Sequence, residues 1–395
     1  MTLQGDNRVK SRAHSVRTHI VTDRILCAVP FVEAFSSRTP GWRNCCVASP
    51  QIFSDPGQSF ESWWYGPEMQ QFRSRLYGTG LPSECSGCEL KEQTQGRSLR
   101  TAVNDTQDLN QLKLTWPSRW NVKFGNICNL ACWSCSEHSS SVIETHKIRV
   151  GLLPADHEPM QKSFAHSWPT IRQNILRSYD CHSTVTITVL GGEPLYNPTV
   201  IDFLHELQQL ELSARTRLEF HTNATKITDS IRSILDRRHW RHISVFFSLD
   251  AVGAKAQWLR YGCDWNQVVD NIALLRSLVN YSEAHCTVSV LNIRDLAALG
   301  KFCQDNQLDL RLHALSTPEF MSCENWDADP GLLLQGLDRT DPKLVPFYDL
   351  VGKNPRSGAA SRLCDYIQRF AAIRDPLDPV DPGLAKILNQ VKGHT

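Results

Sequence analysis

Cys128-Asn-Leu-Ala-Cys132-Trp-Ser-Cys135 places three thiols at CxxxCxxC spacing, directly after a run that reads as a strand. Thiolates are soft ligands, suited to iron–sulfur clusters and to zinc. Three of them can hold three irons of a [4Fe–4S] cluster and leave the fourth iron open, free to bind a co-substrate and pass it one electron. Zinc would want a fourth protein ligand. A second set lies upstream, at Cys27, the adjacent pair Cys45–Cys46, and Cys85-Ser-Gly-Cys88. Four cysteines there would saturate either a cluster or a structural zinc knuckle. A closed cluster cannot bind substrate directly, which leaves electron relay or electrostatic tuning as its role.

These residues need elements to position them. From about residue 118 to 315, β-rich runs alternate with helical patterns, which predicts βα units around a parallel sheet. The strand candidates span 120–124, 184–190, 217–222, 242–249, 285–291 and 308–315. Between them, Val200, Leu204 and Leu207 share one helical face, and so do Val268, Ile272, Leu275 and Leu278. Sites of parallel βα barrels lie at the C-terminal strand ends, and chemistry is concentrated there. The first strand runs into the cysteine loop and the second into Gly191-Gly192-Glu193-Pro194. The third ends in His221-Thr222-Asn223, the fourth in Ser248-Leu249-Asp250, and Val290, Leu291 and Asn292 close the fifth. Glycines let backbone approach a ligand, while carboxylates and carbonyls accept from an ammonium group. Arg260 is a further candidate for an anionic group. For Ser248 and Asp250 helix capping is the competing role, and His221 reads as structural.

The run FGNICNLACWSC, with GGEP after the next strand, resembles the radical S-adenosylmethionine (radical SAM) enzymes. The resemblance implies an open, partial (β/α)6 TIM barrel. It implies that Cys128, Cys132 and Cys135 hold a [4Fe–4S] cluster with an open iron site, which S-adenosyl-L-methionine chelates. Gly191, Gly192, Glu193, Asn223, Ser248, Asp250 and Val290 are the positions it assigns to that cofactor. One electron, from a reducing donor of flavodoxin or ferredoxin type, would yield methionine and a 5′-deoxyadenosyl radical that abstracts hydrogen from a C–H bond. Many relatives carry an aromatic residue just before the third cysteine; here that position is Ser134, and the aromatic is Trp133.

Cys27, then Gly41 after thirteen residues, Cys46 after four more, and Cys85-x-x-Cys88 resemble the twitch form of the SPASM auxiliary-cluster module. With ESWWYGPEMQQFRSRLYGTGLPSECSGCELKEQTQGRSLR around them, they are similar to the N-terminal-twitch group of radical SAM proteins. The resemblance covers roughly residues 25 to 315 and implies an auxiliary [4Fe–4S] cluster on Cys27, Cys46, Cys85 and Cys88. Spacing favours Cys46, with Cys45 as the alternative. A peptide substrate follows from this likeness, altered by cross-linking, oxidation or epimerisation in natural-product or enzyme maturation. A small molecule such as an aminosugar, amino acid or nucleoside is the alternative, and a non-catalytic iron–sulfur or zinc scaffold is a third. Cys323 and Cys364 are candidate hydrogen donors to a substrate radical.

Length and composition bound the rest. A chain of 395 residues suggests more than one unit. The expected division is a basic tail at 1–24, a twitch-like unit at 25–117, the barrel at 118–315 and a Pro- and Asp-rich C-terminal extension at 316–395. That extension holds a helix near 359–373 and is expected to wrap the barrel mouth. The basic start reads as a plain tail, ahead of a partner-binding arm or a transit-like segment, with no apolar secretory core. A net charge of +1 gives no footprint for nucleic acid. No stretch is apolar enough to span a bilayer. Fourteen cysteines in tight clusters, without that signal, point to metal ligation in a reducing, cytoplasmic setting rather than to disulfides. The six scattered cysteines read mostly as small buried hydrophobes.

Overall fold

Strand-forming runs in this chain assemble one α/β sheet that reaches further toward the N-terminus than the sequence pattern suggests. The structure, a computed structural model, describes residues 25–36, 41–55, 57–78 and 80–392; the basic segment 1–24 lies outside them. The strands are β1 Glu33–Ser36, β2 Trp42–Arg43, β3 Arg119–Lys123, β4 Ala131–Cys132, β5 Val185–Leu190, β6 Thr216–Thr222, β7 His242–Ser248, β8 Arg260–Tyr261, β9 Tyr281–Val288 and β10 Leu310–Ala314. The main sheet has the order β10-β9-β7-β6-β5-β3-β1-β2, and β4 pairs with β8 in a separate ribbon. Every pairing from β10 to β1 is parallel, and only β2 runs antiparallel to its neighbour.

The six expected barrel strands are therefore present, with β1 added beside β3 in the register Ala34↔Trp120. Side chains alternate as a pleated strand requires. Trp120 and Val122 of β3, like Leu218 and Phe220 of β6, are buried, whereas Arg119, Asn121 and Lys123, with Glu219 and His221, lie half-buried on the other face. Helix Met160–Cys181 covers the Trp120 face, where Trp120 Nε1 donates to Ser178 Oγ at 2.7 Å. Helices Pro198–Gln209 and Trp265–Leu278 bury Val200, Leu204, Leu207, Val268, Ile272 and Leu275, as their spacing predicts.

One strand differs from expectation. The fifth barrel strand starts at Tyr281 and ends at Val288, because Asn292 draws the following residues into a turn: its Oδ1 accepts from Ser289 N at 2.7 Å. After Ser59 the chain forms two helices, Phe60–Trp64 and Pro67–Ser74, and Pro67, which has no N–H, begins the second. Phe60 packs on Trp42, Trp116 and Trp120 at ring distances of 4.6, 5.0 and 5.1 Å, joining the N-terminal segment to the sheet.

The C-terminal extension carries helices Ala359–Phe370 and Pro382–Lys392. It is fastened by the buried Lys255, whose Nζ meets Asp381 Oδ2 at 2.5 Å and Asp295 Oδ2 at 3.7 Å. Trp258 Nε1 adds a hydrogen bond to Asp375 O at 3.1 Å. Among the described residues, no helix is long and apolar enough to cross a membrane.

Candidate active site

The cysteine loop leaves β3 and is shaped mainly by its own backbone. Asn126 Nδ2 donates to Glu137 O at 2.7 Å and to Glu144 Oε2 at 2.9 Å, tying the start of the loop to its end. Ser140 Oγ donates to Leu130 O at 2.5 Å and accepts from Ile143 N at 3.1 Å, so one hydroxyl both braces the loop and caps the next helix. The β4–β8 pairing sets Cys132 opposite Arg260. Cys128 and Cys132 are buried and Cys135 is partly exposed.

The three thiols open on a cavity of about 600 Å³. From the strand ends come Gly191, Gly192, Glu193, His221, Asn223, Ser248 and Thr287, and from beyond β10 come Leu315, Thr317, Phe320 and Tyr366. Candidates read from the sequence after β3, β5, β6 and β7 thus share one cavity, to which Thr287 adds β9. The glycine turn is tight: Gly191 and Gly192 have φ +83° and +59°, and a Cβ would strike Gly125 O at the first and Ile127 O at the second. No side chain fits between this turn and the loop that carries Cys128.

Glu193 lines the cavity, yet its carboxylate serves the fold. Oε1 accepts from Leu195 N at 3.1 Å and Thr222 Oγ1 at 2.7 Å, and Oε2 accepts from Asn223 N at 2.6 Å. Burial raises its pKa, and these donors work against that rise. Asn223 is held in turn, its Nδ2 donating to Asn129 Oδ1 at 3.0 Å in the cysteine loop. Ser248 lines the cavity as expected of a strand end.

Two of the candidate residues lie off the cavity. Asp250 does not line the cavity: its carboxylate meets Arg260 at 2.9 Å and accepts from Thr287 N at 2.9 Å. Val290 is buried, with its N–H bonded to Met321 O at 3.0 Å, because the turn that ends β9 rolls it into the core. Cys323 and Cys364 are likewise buried off the cavity, and burial pushes the Cys323 thiol up to about 12. Of the other scattered cysteines, Cys286 and Cys303 are buried, Cys263 is partly exposed, and Cys181 is exposed.

Charge around the thiols is positive. Arg260 Nη1 lies 3.9 Å from Cys132 Sγ. Burial lowers its pKa, but Asp250 and the neighbouring thiols more than offset this and hold its proton more tightly than usual. Burial pushes the Cys128 thiol up to about 12, whereas the bond from Cys135 lowers Cys132. His221 begins a run of rings across the half-buried sheet face, Phe246, His285 and His313 following at 4.9, 4.9 and 5.1 Å. Burial, then the nearby His285, lowers the His221 pKa to about 3, so it is neutral at pH 7.

The upstream cysteines also meet. Cys27, Cys45, Cys85 and Cys88 line one small apolar cavity with Phe72, Leu76 and Leu99. Of the adjacent pair, it is Cys45, the alternative to the spacing-favoured Cys46, that lines the cavity, while Cys46 is exposed. The bond from Cys46, against burial and with Val47 N at 3.3 Å, lowers the Cys45 pKa to about 7. The two adjacent thiols bond each other, so a small change in this irregular segment decides which one meets the cavity, and spacing alone cannot choose between them. Among the described residues no three His, Cys, Asp or Glu side chains converge closely enough for a single metal ion. In both sets the thiols ring a space rather than a point, with soft donors of the kind iron–sulfur groups take.

Sequence reading missed Tyr366 and Arg374 of the extension. Tyr366 lines the cavity, and Arg374 stacks on Trp133 at 4.3 Å. Neither sits in a recognisable spacing.

Residues 122–299 match the Radical SAM superfamily. No curated protein matches. Among solved structures the chain is similar to native anSMEcpe with bound AdoMet and Cp18Cys peptide, at 17% identity, 51% of this chain, 54% of that chain and TM-score 0.34. It is similar to Streptococcus suis SuiB bound to precursor peptide SuiA, at 17% identity over 76% and 62% of the two chains, TM-score 0.36. The radical S-adenosylmethionine methyltransferase TsrM from Kitasatospora setae, with cobalamin and a [4Fe-4S] cluster bound, matches at 11% identity over 65% and 51%, TM-score 0.34. The chain spans about half the length of the anSMEcpe structure.

Proposed function

Given that residues 122–299 belong to the radical SAM superfamily, we propose that this enzyme directs radical chemistry at a C–H bond of a peptide. The observation that carries the reading is the shared cavity on which Cys128, Cys132, Cys135 and the Gly191–Gly192 turn all open. The three thiols would hold a [4Fe–4S] cluster, with S-adenosyl-L-methionine in the adjoining cavity. Bound together, these supply one-electron cleavage of the sulfonium to methionine and a 5′-deoxyadenosyl radical.

This chain's residues do the rest. The glycine turn packs directly on the loop that carries Cys128 and so sets the thiols against the strand ends. Ser248 and Thr287 offer hydroxyls for orienting a ribose, and Leu315 and Phe320 exclude water from the far wall. Cys27, Cys45, Cys85 and Cys88 would hold an auxiliary [4Fe–4S] cluster, as the upstream cysteine pattern implies. The reducing electron would come from a carrier of flavodoxin or ferredoxin type.

A volume near 600 Å³ is that of a single-ligand site. Cofactor plus one inserted side chain of an extended peptide suits it. The second reading, a small-molecule substrate, is favoured by Leu315, Thr317, Phe320 and Tyr366, which close the cavity from beyond the last barrel strand.

Iron and sulfide content of anaerobically reconstituted protein, together with 5′-deoxyadenosine formation under reductant, tests the core of this reading. The Cys128/Cys132/Cys135 triple Ala variant should lose half the iron and all cleavage; retained cleavage would sink the assignment. Adding macromolecular or small-molecule pools of a cell extract, separated by ultrafiltration, distinguishes the substrate classes. Stimulation by the small-molecule pool alone would overturn the peptide reading.

A further inference from the structure

Arg374 follows helix Ala359–Phe370 in the C-terminal extension and is only 6% exposed. Its guanidinium carbon lies 4.3 Å from the ring centres of both Trp133 and Phe370 and 5.4 Å from that of Tyr261. Trp133 is the residue between the second and third cysteines of the loop, and its backbone N–H is fixed to Leu259 O at 3.0 Å. Aromatic faces attract a cation, but they do not satisfy its N–H groups. Nε, Nη1 and Nη2 all lack a hydrogen-bond partner among the described residues.

A buried, unpaired cation is costly, and folded chains ordinarily pair it or let it meet a charged ligand. Arg260 shows the ordinary solution, since Asp250 holds it at 2.9 Å. Arg374 has no such carboxylate. Burial lowers its pKa to about 10, and the indole it stacks on belongs to the residue that follows Cys132 and precedes Ser134 and Cys135. Against the ring of Trp133, between the second and third cysteines of the loop, lies a buried cation that no anion of the described residues balances.

We propose that Arg374 is a positioning residue whose buried charge is balanced by the anionic iron–sulfur group held by Cys128, Cys132 and Cys135, and that it favours the reduced form of that group. This rests on reading those thiols as a [4Fe–4S] site. Reduction by one electron from an external carrier adds one negative charge to the site. A fixed, dehydrated cation stabilises that charge more than water would.

The test uses the full chain as wild type, Arg374→Met and Arg374→Lys, each apo and anaerobically reconstituted. The signal to follow is the reduced-cluster electron paramagnetic resonance signal that changes on adding S-adenosylmethionine. In Arg374→Met, iron content should hold while the reduced-to-oxidised ratio at a fixed potential falls about tenfold, equivalent to about 59 mV for one electron. Arg374→Lys should recover most of the loss. Thermal melting supplies an independent reading: apo Arg374→Met should melt no lower than apo wild type, yet gain less from reconstitution. Full iron with an unmoved midpoint would overturn the proposal, and so would an apo variant melting below apo wild type, which would make the stacking structural. Wild-type protein that binds no iron at these cysteines would sink the cluster reading, and this proposal with it.

Discussion

Glu193 separates two roles that a glycine-glycine-glutamate turn can have, and its substitution measures which one operates. Both oxygens are engaged inside the protein, Oε1 by Leu195 N and Thr222 Oγ1, Oε2 by Asn223 N. Hydrogen bonds to a charged group contribute about 1.5–3 kcal/mol each, and removing the acceptor also strands buried donors. The three share one carboxylate and do not add fully, so Glu193→Ala should cost about 3–5 kcal/mol, the range for breaking a buried charged contact. A domain with about 5–15 kcal/mol of stability would lose a large part of it. Glu193→Gln keeps an acceptor for Leu195 and Thr222 but can turn an NH₂ toward Asn223 N, costing about 1–3 kcal/mol. Urea unfolding of the apo-protein isolates this effect, because no cofactor is present to be lost. Equilibrium binding of S-adenosylmethionine to the reconstituted protein then reports the indirect consequence through Asn223 and Asn129. The brace argument is refuted if apo Glu193→Ala unfolds within about 1 kcal/mol of wild type while cofactor affinity collapses. That pattern would put the carboxylate on the ligand instead.

Other perturbations address the neighbouring features. Cys45→Ala should lose the auxiliary iron and Cys46→Ala keep it, since Cys45 alone of the pair lines the cavity with Cys27, Cys85 and Cys88; iron analysis showing the reverse would restore Cys46 as the ligand. Gly192→Ala should displace the Ile127 carbonyl and with it the bond from Glu193 N at 2.8 Å, lowering apo stability by about 2–4 kcal/mol and iron loading together; an unchanged melting curve would contradict the close approach. His221 has its pKa lowered from 6.5 to about 3, so between those values the unfolded chain binds the extra proton. Stability should therefore fall as pH drops below 6.5, by at most about 1.4 kcal/mol per pH unit from this group. His221→Phe should flatten the slope of stability against pH between 6 and 4, and an unaltered slope would assign the titration elsewhere.

The legible parts of this protein are those where one residue type answers one physical need. Alternation and βα spacing located the six barrel strands to within a few residues, because the buried faces of these strands demand a strict period. The cysteine triplet and Gly191-Gly192 were legible because ligand chemistry and a left-handed turn leave few substitutes. Asp250 and Val290 were not, although both follow strand ends. Their orientation depends on partners in other elements, Arg260 and Thr287 in the first case and Met321 in the second. Arg374 was invisible for a related reason: it reaches the cysteine loop across more than two hundred residues, from an extension that the Lys255–Asp381 contact helps to fasten.

The N-terminal segment carries the largest consequence of this kind, because the expected boundary near residue 117 falls inside a shared structure. β1 extends the barrel sheet in parallel register with β3, so removing it would bare a long edge of unpaired backbone. Trp42, Phe60, Trp63 and Trp64 are also buried in the same core as Trp120, Val122 and Ile187. Four aromatic side chains bury roughly 600–1,000 Å², equivalent to about 15–25 kcal/mol of transfer free energy as an upper bound. If only a third of that reflects contact with the barrel side, the loss is about 5–8 kcal/mol, which matches the whole net stability of many domains. Residues 118–392 expressed alone should therefore fail to give a cooperative thermal transition, whereas residues 25–392 should give one. A sharp, two-state melt of the shorter chain, with native-like amide dispersion, would show that the aromatic contacts are dispensable. The cysteine-rich segment would then be a separable module after all, rather than the outer wall of the barrel.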